Sequence, residues 1–308
     1  MFMMMKKAFY IFLSVVIILG ISGIPLQAGQ IVTDDMRAWA RDALTQETGL
    51  EAESAGNTLA VLYFHNKSGD AGLNPLQKGL AFMLMTDLSQ VDGIVLVERV
   101  KLQALVEEMD LGVSGLVAPD SAPRVGRLLG ARFLVGGDLQ GSKSELGIAS
   151  DVLEVPGQRL AGSPLSEGDL PRIFEMEKEL LFAIIDILRI ELSEQKKLEL
   201  EKPFTTKIDA LYNLMYAIDS ADRGDYLKAE AYYKEALKKD PGLNAAEEGL
   251  QELKDLNLVG PHDRSKAMAE SLEERTSQTS RLTDDYISRR NRNPGDNLKT
   301  AGQIRVQW

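Results

Sequence analysis

The chain has 308 residues, 44% of them hydrophobic, a formal net charge of −11 and no cysteine. That length suits about two domains with a sizeable core, and the acidic balance argues against broad binding to nucleic acid or anionic membrane. Without thiols there is no disulfide framework, no lipidated cysteine and almost no route to the usual Cys/His zinc site.

Residues 1–28 place Lys6 and Lys7 before an apolar run, 8–19, which Gly20, Gly23 and Pro25 break. Leu26-Gln27-Ala28 then precedes Gly29. These are the three regions of a secretory signal peptide, cleaved near Ala28. An uncleaved anchor is the alternative, but the run is shorter than the ~20 residues of a spanning helix. The expectation is an exported periplasmic protein, associated at most with the outer membrane, whose mature chain has no direct membrane span.

Residues 34–46 form an amphipathic helix in a 29–57 leader and linker. Residues 58–64 (TLAVLYF) read as a buried strand, 65–75 as a loop and 76–88 as a helix with period-3.6 apolar spacing. Strand 94–97 and helix 98–109 follow. Asp120 caps a helix over 122–129, with Pro123 in its first turn. Gly130 stands where a helix end needs positive φ. Residues 132–136 start a strand, Gly136-Gly137 allow a bend, and 139–144 with 146–155 make a meander. Pro156-Gly157 close a hairpin onto 159–162. Acidic turn residues lead to one long helix over about 170–199. The 58–200 region is therefore an α/β domain, a mixed sheet packed by helices.

Composition changes after Pro203. The stretch 223–242 (RGDYLKAEAYYKEALKKDPG) has Ala229, Tyr233 and Ala236 at helical spacing, a turn at Gly224-Asp225-Tyr226, and Pro241 to end the helix. It resembles a tetratricopeptide repeat (TPR) hairpin within a helical region, 205–257. Ala229 and Ala236 are expected where its helices touch. Tyr226, Tyr232 and Tyr233 read as packing residues rather than a ligand cage. Residues 258–308 read as a polar, flexible tail with one charged helix over 265–288 and a frayed end, GQIRVQW, that could alternatively add a strand to a sheet edge.

The two histidines are His65 and His262. His65 with Ser68 and Asp70 could be offered as a triad, yet HNKSGD is also ordinary turn chemistry. There is no Walker A or nucleophile-elbow spacing. Glu107, Glu108 and Asp110 read as a solvated helix end, and Asp284-Asp285 lack a spaced ligand loop. No catalytic residue, metal or cofactor is assigned.

Residues 58–139 resemble the CsgG family of curli secretion components and related FlgO-like and TolB N-terminal modules. The resemblance rests on Phe64, Asn66, Ser68, Gly69 and Asp70 at the end of the first strand. It rests also on Glu98 and Arg99, on Leu-x-x-Leu-x-x-x-x-x-Leu-Gly-x-Ser-Gly over 102–115, and on Gly126, Leu129, Gly130, Ala131 and Gly136. It implies an α/β module in the bacterial envelope. Three readings follow. The first is an assembly, scaffolding or protein-binding factor with protein partners on the TPR-like region. The second is an oligomeric outer-membrane channel component, which would make the chain a homo-oligomer. The third is a periplasmic enzyme.

Overall fold

The computed structural model describes residues 30–46, 56–111 and 121–260. The expected signal peptide, the Asp120 cap, the 112–115 motif residues, His262, Asp284-Asp285, the 265–288 helix and GQIRVQW lie outside the described residues.

Helix α1 (Asp34–Thr45) starts at Thr33, whose side chain accepts from Met36 N. Strand β1 (Thr58–Val61) is followed by β2 (His65–Asn66), helix α2 (Pro75–Leu88), β3 (Val95–Leu96) and α3 (Arg99–Glu108). Helix α4 (Ala122–Leu128) leads into β4 (Phe133–Ser142), β5 (Glu145–Glu154), β6 (Arg159–Gly162) and β7 (Leu165–Gly168). Helices α5 (Ile173–Ile187), α6 (Glu194–Leu200), α7 (Ile208–Asp222), α8 (Tyr226–Lys239) and α9 (Asn244–Asp255) complete the described chain.

The architecture is the expected mixed sheet packed by helices, with a C-terminal helical region. Strand order is β3-β1-β4-β5-β6, with β2 also on β4 and β7 also on β5. β1 runs parallel to β3 and β4, and β4, β5 and β6 are antiparallel in succession. The alternation of side chains puts Val135, Leu139, Ile148 and Val152 in the core.

Four expectations are corrected. The 58–64 run is not one strand: β1 ends at Val61, Leu62 N makes the last bond to β4 at Val135 O, and Phe64 N turns to Gln77 O of α2 before β2 begins. Gly136-Gly137 do not divide two strands, because β4 continues through them with unbroken pairing to β5. A Cβ on Gly137 would lie 2.0 Å from Ala149 O and 2.9 Å from the Phe64 ring, so this glycine serves close approach. Residues 165–168, read as turn, form β7 against β5. The 170–199 helix is two helices. Arg189 takes φ +58°, Arg189 N donates to Asp186 O and Ile190 N donates to Ile185 O, which closes the end of α5. Ser193 then caps α6 through Lys196 N.

The core is continuous from sheet to helical region. A Cβ on Gly79 of α2 would stand 3.4 Å from Met215 of α7, so the two helices pack closely there.

Candidate functional site

The residues read from the first strand end build one turn. Phe64 is fully buried. Asn66 Oδ1 accepts from Ser68 N at 3.0 Å and Ser68 Oγ at 2.5 Å, and Asn66 Nδ2 donates to Asp70 O and Asn74 Oδ1. Gly69 takes φ +77°. Asp70 Oδ1 accepts from Gly72 N at 2.7 Å, which holds its carboxyl below the usual range. These polar groups satisfy one another, so the motif is explained by its turn.

Ser68 is thus committed to Asn66 and Asp70 N, not to His65. The parallel β2–β4 register sets His65 beside Asp138 instead, Nδ1 to Oδ1 3.7 Å, while Lys67 Nζ reaches Asp138 Oδ2 at 2.8 Å. Asp138 was not singled out from the sequence, because only strand register brings it to His65. It also lines a cleft of about 370 Å³, with Leu62, Leu134, Asp151 and Leu160. Gly136 sits in the same wall. A Cβ on Gly126 would stand 2.6 Å from Val155, so this glycine lets α4 close on the sheet beside the cleft. Leu129 and Ala131 are buried, and Gly130 takes φ +63°.

Arg99 is the most connected residue of the motif set. It is buried, with Glu98 at the start of its helix. Its Nη1 and Nη2 donate to Asp222 Oδ2 and Oδ1, both at 3.1 Å. Nη1 also reaches Tyr63 Oη at 3.2 Å, and Nη2 reaches Gln30 O. Tyr63 Oη donates to Gln103 Oε1, and Lys78 Nζ donates to Asp222 Oδ2 at 2.8 Å and Asp219 Oδ1 at 2.9 Å. Burial alone would lower the Arg99 and Lys78 pKa values and raise that of Asp222. The opposite charges outweigh it, so both cations sit above and Asp222 below its ordinary value. This network ties α2 and α3 to α7.

The same joint extends to the other predicted residues. Ala229, Tyr233 and Ala236 form the buried face of α8. Tyr233 Oη donates to Gln30 Oε1 at 3.0 Å. Gly224 takes φ +75° in the α7–α8 turn, Asp225 caps α8, Tyr226 is half-buried, and exposed Pro241 follows the helix end. Sequence reasoning missed Gly249 of α9, where a Cβ would stand 2.4 Å from the Tyr233 ring. It also missed a second buried cluster between α2 and α5. There Lys178 Nζ pairs with Asp87 and lies 3.4 Å from Glu177 Oε2. Burial and the Asp87 carboxylate push Glu177 up to about 8. Among the described residues no group of three or more His, Cys, Asp or Glu could hold a metal ion, and no helix is long and apolar enough to cross a membrane.

Comparison with known proteins adds the following. Putative adenylate cyclase 3 of Rhizobium meliloti (strain 1021) is 26% identical over 197 residues, covering 63% of this chain and 32% of that protein. The chain therefore spans about a third of that curated relative's length. The LpoB C-terminal domain of Salmonella enterica is 16% identical, covers 44% of this chain and 98% of its own, and has a TM-score of 0.29. Lipoprotein GNA1162 of Neisseria meningitidis is 11% identical over 44% of this chain and 99% of its own, with a TM-score of 0.30. Over residues 43–143 the chain matches the family model described as "Curli production assembly/transport component CsgG".

Proposed function

We propose that the chain is a non-enzymatic bacterial cell-envelope protein. It acts in the periplasm as an assembly or scaffolding factor and binds protein partners through its TPR-like arm, α7 to α9. The observation that carries this reading is the joint at Arg99. A lone helical hairpin cannot bury its own apolar face. Here the arm is fastened to the α/β unit by the Arg99–Asp222–Lys78 network and by packing of α7 on Gly79. The α/β unit thereby holds the arm in one orientation. Its outer surface carries the tilted Tyr216–Tyr232 pair, ring centroids 5.3 Å apart, with Tyr216 40% exposed. Exposed aromatics of this kind anchor protein interfaces.

The test is photo-crosslinking from position 216 in intact cells. One discrete adduct with an envelope protein, weakened by Tyr232→Ala, is the expected result. Absence of any adduct from positions along the arm overturns the partner reading.

The family-model match supports a second reading, a ring-forming component of a secretion channel. Against it, the two ten-residue strands β4 and β5 are already engaged in the sheet, with alternate residues in the core.

A further inference from the structure

One face of the β4–β5 pair belongs to the core, where Val135, Leu139, Ile148 and Val152 are buried. The other face carries the cleft of about 370 Å³, and strand register orders its floor into rows. In the first row Leu134 stands opposite Leu153, and Leu153 opposite Leu160 of β6. In the second Gly136 stands opposite Asp151, and in the third Asp138 stands opposite Ala149. Cross-strand partners lie about 5 Å apart, and successive rows about 7 Å apart along the strands. The first row is therefore tall and apolar, while the next two hold only small residues and two carboxylates. Ala122 and Pro123 at the start of α4 form a wall of the same cleft.

Both ends of this floor are incomplete. Leu160 is 55% exposed, although Leu134 and Leu153 beside it are buried and half-buried. Asp151 Oδ1 accepts from Ser163 Oγ at 2.6 Å, and among the described residues no cation pairs with Asp151. Asp138 Oδ2 accepts from Lys67 Nζ at 2.8 Å. Asp138 Oδ1 is shielded from water and has no hydrogen-bond partner, since His65 Nδ1 at 3.7 Å is too far. A shielded acceptor without a donor calls for an explanation. Asp138 and Asp151 are diagonal neighbours on one face, roughly 7–8 Å apart, so one cationic head can lie between them. Gly136 keeps the way from the leucine row to Asp138 open, because a side chain there would project between them.

A cleft of this size falls in the ~300–1,000 Å³ range of small-molecule sites, which are mostly apolar with a few convergent polar groups. We propose that it binds a small organic cation: an ammonium or guanidinium between Asp151 and Asp138, carried on an apolar body that lies over Leu134, Leu153 and Leu160. Lys67 already neutralises part of Asp138, so Asp151 makes the larger contribution, through charge-assisted hydrogen bonds. The body covers Leu160. Two carboxylates turn an anion away. A neutral molecule of the same shape would displace water from Asp151 and return no counter-charge. The site lies on the α/β unit, away from the arm, and stands whether or not the arm binds a protein.

The experiment titrates the full chain, purified from cells and labelled at its leucine methyl groups, with three probes of one shape: 4-phenylbutylammonium, 4-phenylbutanol and 4-phenylbutyrate. NMR reads the affinity and the methyl groups that shift. The expected result is binding of the ammonium, with shifts centred on Leu134, Leu153 and Leu160. Its affinity should exceed that of the alcohol about tenfold or more, the margin should shrink in high salt, and the carboxylate probe should not bind. Asp151→Asn should bring the ammonium down to the affinity of the alcohol while the melting temperature stays the same. Gly136→Val should abolish binding of both; should that variant not fold, Asp151→Asn carries the test alone. No binding of the ammonium up to about 10 mM, equal affinity for ammonium and alcohol, or a preference that survives Asp151→Asn overturns the inference.

Discussion

Arg99 and Asp222, 123 residues apart in sequence, meet as a two-pronged buried ion pair, Nη1 to Oδ2 and Nη2 to Oδ1 both at 3.1 Å. Removing one partner of a buried pair strands the other charge. Asp222 neutralises two cations, Arg99 and Lys78, whereas Arg99 shares Asp222 with Lys78. Asp222→Ala should therefore cost about 3–5 kcal/mol in urea unfolding, and Arg99→Met clearly less. A loss under about 1 kcal/mol for Asp222→Ala would mean the joint does not hold the arm.

Gly249 and Tyr233 give a sign test. Glycine to alanine inside a helix ordinarily adds ~1 kcal/mol of stability. At Gly249 the new methyl would stand 2.4 Å from the ring of Tyr233, which is fully buried and hydrogen-bonded to Gln30. Gly249→Ala should instead destabilise by about 1–3 kcal/mol. Combining it with Tyr233→Leu should recover part of that loss, measured by thermal unfolding.

Ala229 and Ala236 have no exposed surface. Enlarging either to Leu forces side chains into a filled space, costing ~1–3 kcal/mol. An unchanged melting temperature for both variants would show that α8 is not packed at those positions.

The Asp87–Lys178–Glu177 cluster makes stability depend on pH. The Glu177 pKa stands at about 8 in the folded chain against 4.5 unfolded, raised first by burial and then by Asp87. Between those values the folded state keeps a proton that the unfolded state has released, so stability falls as pH rises. The slope should approach 1.4 kcal/mol per pH unit. The rise at Asp87, also from burial, acts in the same direction. Glu177→Gln should flatten the profile between pH 5 and 8; a profile unchanged by that substitution would contradict the assignment.

What the sequence made legible was local. Gly130 at positive φ, the Pro156-Gly157 hairpin and the α2 spacing each depend on a few neighbouring residues, and each is found. The misread helix break at Arg189 is local too, but it is made by backbone closure that no residue type announces, since glycine is the usual occupant. Gly137 was read as a bend because only the pairing of β4 with β5 reveals how near Ala149 lies. Arg99 was singled out by resemblance, without its partner. Asp222 sits in another element, and its role arises only when α7 folds across α2 and α3. His65 gained Asp138 rather than Ser68 for the same reason: register, not proximity in sequence, chose it.

The proposed scaffold is one α/β unit with a fixed helical arm that does not insert in a membrane. Its most direct test is the native mass of the chain lacking residues 1–28, prepared without detergent and measured by light scattering on a sizing column. The expected result is a soluble monomer or dimer whose mass does not change with detergent. A large discrete ring, or a species that needs detergent to stay in solution, would contradict it and favour the channel reading.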